Sequence, residues 1–173
     1  MRKTLLGIAA LLLSGCALNS EVRTSDEPDA ALIFGYFDMA DSPYELGCVR
    51  VTQAEKHGIA YGQSCMQTFA DGLFFIENVP PMKYHVPFFY AGGKLHTISS
   101  DEKDAFNVRA KSMYFYGSFK YKVVTKELLD VFKPDQYGLK PVSSPSEKAV
   151  LKMLQDRVQD PRWKARIKAR LAQ

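Results

Sequence analysis

The spacing of hydrophobic residues changes several times along this chain, and each change marks a different kind of segment. Residues 5–13 form an apolar run behind Arg2 and Lys3. Residues 17–30 hold Asn, Ser, Thr, Asp, Glu and Pro with little apolar content. Such a segment cannot bury enough surface to fold, so it reads as a tether. From residue 31 onward, short runs rich in aromatic and β-branched residues predict strands over 31–37, 44–51, 61–69, 73–78, 83–91, 94–99, 105–109 and 112–124. Asp71-Gly72 and Gly92-Gly93 fall between neighbouring runs, and both dipeptides tolerate the positive φ that a tight hairpin turn requires. Pro87 cannot donate to a ladder, so its strand is expected at an edge or with a bulge. Within 112–124, Phe115, Phe119, Tyr121 and Val123 share one parity, while Tyr114, Tyr116, Lys120 and Lys122 share the other. That period of two predicts a buried face and a wetter one.

The period then lengthens. Residues 126–132 are weakly helical and Pro134 stops them; residues 133–143 read as an irregular connection. Ser144-Pro145-Ser146-Glu147 is a helix start, with Ser144 as cap, Pro145 in the first turn and Glu147 reaching back. Val150, Leu151, Leu154 and Val158 fall on one face of that helix. Asp160-Pro161 repeats the start signal, and Trp163, Ile167 and Leu171 line a stripe by their spacing of four. An apolar stripe needs somewhere to dock. The expected fold is therefore mainly β, an antiparallel sandwich of short strands, followed by carboxy-terminal α-helices.

The amino terminus carries a processing signal. The apolar run is too short for a spanning helix, which needs roughly 20 residues, and its charged flank and length suit a signal peptide. It ends in Leu13-Ser14-Gly15-Cys16. These four residues resemble the lipobox of the bacterial lipoprotein family, which implies cleavage before Cys16 and acylation of its thiol. Residues 1–15 then form the signal peptide, 16–30 the lipidated cysteine and tether, 31–142 the β domain and 143–173 a helical segment. Two or three acyl chains hold a protein firmly to a bilayer, where one chain binds marginally. Ala17 follows the cysteine; by the same resemblance, the absence of Asp there favours the outer membrane, facing the periplasm.

Charge adds an asymmetry. The chain carries +4 overall, residues 161–173 carry +5 and residues 1–15 carry +2, leaving −3 for residues 16–160. Arg162, Lys164, Arg166, Lys168 and Arg170 make up the basic end. Outside the cytoplasm nucleic acid is not an expected partner. The expected counterparts are the membrane itself, another envelope protein, lipopolysaccharide or a glycan. In that oxidising setting Cys48 and Cys65 are either disulfide-bonded or two small apolar residues on neighbouring strands.

Residues 70–86, Ala-Asp-Gly-Leu-Phe-Phe-Ile-Glu-Asn-Val-Pro-Pro-Met-Lys-Tyr-His-Val, resemble the carboxypeptidase regulatory-like domains. Those domains share an acidic-Gly turn, an Asn between aliphatic residues and a Pro-Pro-Gly-x-Tyr link; Met82 stands where they usually have Gly. The resemblance implies a transthyretin-like sandwich of about seven strands, with Tyr84 packing back on the core, in a mostly non-catalytic accessory or binding module.

Catalytic signatures are sparse. No His-Glu-x-x-His, paired-Cys, Gly-x-Ser-x-Gly or phosphate-loop motif occurs, so no metal, cofactor or catalytic residue is assigned. His57, His85 and His96 stand apart from one another, and Asp71 with Glu77 is read as turn chemistry rather than an acid pair. Tyr90, Tyr114 and Tyr116 remain candidates for an exposed aromatic platform that binds a glycan or lipid. The basic helix is a candidate for contact with anionic lipid. The expected role is a non-catalytic binding or structural accessory; the alternatives are a glycan- or lipid-binding module and an envelope hydrolase.

Overall fold

The computed structural model describes residues 27–54, 61–98, 104–124 and 136–173. The expected signal peptide, Cys16, most of the expected tether, His57 and the helix predicted over 126–132 lie outside the described residues. Among the described residues, nine strands and two helices follow in order: β1 (Ala31–Asp38), β2 (Leu46–Gln53), β3 (Tyr61–Thr68), β4 (Leu73–Val79), β5 (Lys83–Ala91), β6 (Lys94–Thr97), β7 (Phe106–Asn107), β8 (Met113–Val124), β9 (Gln136–Val142), α1 (Glu147–Gln155) and α2 (Pro161–Leu171). The fold is mainly β, with both helices at the carboxy terminus.

The strands run β6-β5-β2-β3-β4-β1-β8-β9, with β7 pairing β5 off this path. Every neighbouring pair is antiparallel except β1 with β8. β3 is the corner: residues up to Met66 pair with β2, and only Gln67 and Thr68 pair with β4. The sheet curls there until its two ends nearly meet. Phe106 of β7 stacks on Tyr114 of β8 at 4.3 Å, and His96 of β6 lies 5.9 Å from Tyr121.

Two apolar cores result. Inside the curl, Ile33, Phe37, Val49, Val51, Phe74, Tyr84, Phe89 and Tyr121 are buried together. Outside it, Leu32, Phe34, Leu73 and Phe75 meet Val150, Leu151, Leu154, Val158, Trp163 and Ile167 from the helical segment. β1 and β4 therefore lie between both cores, and alternate side chains of each strand serve opposite faces.

Turn chemistry sets the register. Gly92 and Gly93 adopt φ of 57° and 74° between Ala91 and Lys94, the two-residue turn expected of that dipeptide. Pro87 sits at an irregularity rather than an edge. Arg50 pairs with Phe88 and Thr52 with His85, so β5 bulges by one residue while keeping neighbours on both sides.

Two local expectations are corrected. Residues 136–142, read as part of an irregular connection, form β9 along β8. The cap of α1 is Ser146, whose hydroxyl accepts from the Ala149 amide at 3.4 Å; Ser144 lies two residues earlier, before a cis Pro145. Ser146 holds the extended backbone that a cap needs.

Candidate functional site

The carboxy-terminal helix is built into the domain by a polar clamp at the end of β4. Asn78 has a φ of 59°, a left-handed conformation that Asn tolerates better than most residues. Its Oδ1 accepts from the Trp163 indole N–H at 2.8 Å and from Arg162 at 3.3 Å, and its Nδ2 donates to Asp160 at 3.2 Å. Beside it, the Glu77 carboxylate accepts from the amides of Gln159 and Asp160 at 3.2 Å. Asp160 caps α2, accepting from the Arg162 amide at 2.8 Å. Its carboxyl is held down at about 2, chiefly by hydrogen bonding from the Arg162 side chain. Asp71 accepts from the Leu73 amide at 3.3 Å and from Arg157 at 3.2 Å. Asp71 and Glu77 thus face turn and helix donors.

The Pro80-Pro81 link between β4 and β5 closes on itself nearby. Tyr84 is fully buried and donates its hydroxyl to the Pro80 carbonyl at 2.8 Å. Burial pushes this phenol above its usual range.

The five basic residues divide in two. Arg162 binds the clamp. Arg166 donates to the Lys111 carbonyl at 3.1 Å and lies over the Trp163 ring. Arg170 donates to the Met113 carbonyl at 3.3 Å and pairs with Glu147. Lys164 and Lys168 are exposed. The arginines therefore fasten the helix, and the lysines are left to face solvent.

Residues 27–30, just before β1, lie against this same helix. The Glu27 carbonyl accepts from Arg162 at 3.5 Å, and Glu27, Pro28 and Ala30 share a small crevice with Arg162, Trp163 and Arg166. Asp29 pairs with Lys111 at 3.4 Å, which fixes the segment just before β1.

The aromatic platform is not assembled. Tyr114 and Tyr116 pack against the inner core, where Tyr116 lies 5.6 Å from Phe106 and 5.2 Å from Phe119. Burial foremost, with Asp104 and Tyr114 adding to it, pushes the Tyr116 phenol up to about 12. Tyr90 lies on the other side of the sheet, edge-to-face with Phe88 at 5.7 Å. The reason is a bulge in β8: Phe34 pairs with Phe115, but Tyr36 pairs with Ser118. Gly117 takes a φ of 131° there, and an added Cβ would meet the Phe119 ring at 2.9 Å. The extra residue reverses parity, so Tyr114 and Tyr116 join Phe119 and Tyr121 inside while Phe115 turns to the helices. A glycine inside a strand pattern is the sequence signal for such a bulge.

Cys48 and Cys65 are bonded, with Cα atoms 5.4 Å apart, and link β2 to β3. His96 is buried and stacks on Phe89 at 4.8 Å; burial holds it below its usual value. Among the described residues, no three His, Cys, Asp or Glu side chains converge as a metal site.

Comparisons with protein-family models, curated proteins and solved structures return no match. The functional reading therefore rests on the chain's own surfaces. Among the described residues, two open cavities lie at the end of the sheet away from the clamp. One, of about 500 Å³, runs along the β1–β2 connection between Tyr36, Tyr44, Asp38, Glu45 and Asp71. The other, of about 370 Å³, is lined by Asp41, Lys120, Lys122, Lys140 and Val142. The strand period joined Lys120 with Lys122 but not with Lys140, which reaches them only through the β8–β9 pairing.

Proposed function

We propose that this chain is a lipid-anchored protein of the bacterial envelope, held through Cys16 at the outer membrane and facing the periplasm. Its β domain is read as a transthyretin-like sandwich serving as a non-catalytic binding or structural accessory. The observation that carries the reading is the position of the tether root. Glu27 and Pro28 leave the domain beside α2, and a polar tether of this length reaches about 20 Å by random-coil scaling. A lipid on Cys16 therefore keeps α2 close to the bilayer. Lys164 and Lys168 then face anionic headgroups, each contributing about 1 kcal/mol near a charged surface. The inward turn of Tyr114 and Tyr116 leaves lipid contact to the helix rather than to an aromatic platform.

The test is metabolic labelling of the full chain with an alkyne fatty acid, followed by membrane fractionation. The wild-type protein is expected to take up label and sediment with outer membranes, while Cys16→Ser does neither. An unlabelled wild-type chain, or one released in soluble form, overturns the anchor. For the helix, Lys164→Glu with Lys168→Glu is expected to weaken binding of the labelled protein to anionic vesicles while leaving binding to neutral vesicles unchanged. Equal loss on both vesicle types would sink the helix reading.

A further inference from the structure

The lysine-lined cavity on the outer face of β8 and β9 has the chemistry of a ligand site. Beyond the Gly117 bulge, Ser118, Lys120 and Lys122 point away from the inner core, and Val142, Lys140 and Gly138 are their register partners. Lys120 stands directly opposite Lys140, an arrangement of like charges that disfavours the pairing of the strands. Gly138, opposite Lys122, has no side chain, which leaves room between Lys122 and Lys140. The β1–β2 connection adds Asp41, whose carboxylate pairs with Lys120 at 2.9 Å. Asp38, the register partner of Lys120 on β1, lies just outside the cavity. The lining therefore carries three ammonium groups against one carboxylate, and Lys122 and Lys140 have no acidic partner among the described residues.

Those elements suit one class of molecule. Ammonium groups are point-charge donors to phosphate oxygens. Asp41 is an acceptor at the rim and can take a hydroxyl hydrogen. Val142 supplies an apolar patch. A volume of about 370 Å³ exceeds what a bare phosphate fills and falls within the range of small-molecule sites. We propose that this cavity binds a phosphorylated sugar, with its phosphate between Lys122 and Lys140 and a sugar hydroxyl at Asp41, presented either free or as the headgroup of a glycolipid. The site lies toward the far end of β8 from Met113, which contacts Arg170. It is thus separate from the helix assigned to the bilayer, and does not depend on that assignment.

The experiment is calorimetric titration of the full chain in detergent with glucose 1-phosphate, glucose and inorganic phosphate. A parallel flotation assay uses phosphatidylcholine vesicles with and without a phosphorylated glycolipid. Saturable binding of glucose 1-phosphate, tighter than that of glucose or phosphate, is expected. Lys122→Gln with Lys140→Gln should weaken it about tenfold or more, and Lys152→Gln on α1 should leave it unchanged. Binding confined to the glycolipid vesicles, with the same lysine dependence, assigns the ligand to a headgroup. Equal affinity for phosphate and glucose 1-phosphate overturns the sugar contact. Absence of saturable binding in both assays, or affinity unmoved by the lysine pair, overturns the site. The lysines are solvent-facing, so both variants should keep the wild-type melting temperature; a variant that melts early is replaced by the single Lys122→Gln.

Discussion

The two outer faces of the curled sheet are finished differently. Over β1, β4 and β8, helices α1 and α2 cover the sheet, and Leu32, Phe34, Leu73 and Phe75 are buried beneath them. Over β2, β5 and β6, no helix lies among the described residues. There the outward positions carry Arg50 over the Phe88 ring, Tyr90 against Phe88, and the Cys48–Cys65 bond. The first face is secured by a second hydrophobic core and a polar clamp. The second is secured by amphipathic rings and a covalent link. The contrast shows how one sheet can be stable where it is covered and remain accessible where it is not.

The sharpest way to break this comparison is Trp163→Ala. Trp163 is 2% exposed and donates to Asn78, so truncation removes both packing and a half-buried hydrogen bond, an expected loss of about 3–5 kcal/mol. Leu95→Ala on the uncovered side, where Leu95 is 52% exposed, should fall within about 0.5 kcal/mol. Urea unfolding of both variants checks this; similar costs would mean that the faces are not energetically distinct.

The next effect belongs to the uncovered side. Serine at both Cys48 and Cys65 opens a loop spanning a sequence separation of 17, and should lower stability by about 3 kcal/mol in the chain-entropy account. Reductant should shift the wild-type urea midpoint toward that of the variant and leave the variant unmoved. A midpoint indifferent to reductant would remove the covalent half of the comparison.

The smallest effect sharpens the covered side through pH. Asp160 has a folded pKa of about 2 against an ordinary 3.8. A depressed carboxyl stabilises the fold fully above its unfolded value and loses that contribution as pH falls through the folded one. Trp163 is the single tryptophan and touches Asn78, which also binds Asp160. Its emission should therefore report loosening of α2 between about pH 4 and pH 2. Asp160→Asn should flatten the response in that window; an unchanged curve in the variant would assign the transition to other carboxylates.

Legibility in the sequence followed the range of the interactions. The strands, the Gly92-Gly93 turn and both helices were readable because periodicity, turn residues and caps act within a few positions. So was the need for a surface under the stripe of Trp163 and Ile167. The faces of Tyr114 and Tyr116 were misread because one bulged residue reverses every side chain before it. Gly117 was visible, but its consequence depends on the register with β1. Glu77 and Asn78 could be placed near a turn, yet their partners lie more than 80 residues away. The cavity of Lys120, Lys122 and Lys140 was hidden for the same reason: it exists only once β9 lies on β8.

The parallel pairing of β1 with β8, and the roof of α1 and α2, also impose an order in time. A chain that emerges from its amino end produces β1 and β4 early. It holds Leu32, Phe34, Leu73 and Phe75 without cover until its last segment arrives. Throughout synthesis, those four residues form a sticky strip that only a transient escort or the final helices can shield. A chain cut short before Glu147 would lack both helices and carry that strip permanently, and would be marked for quality control by the very surface that the finished protein hides.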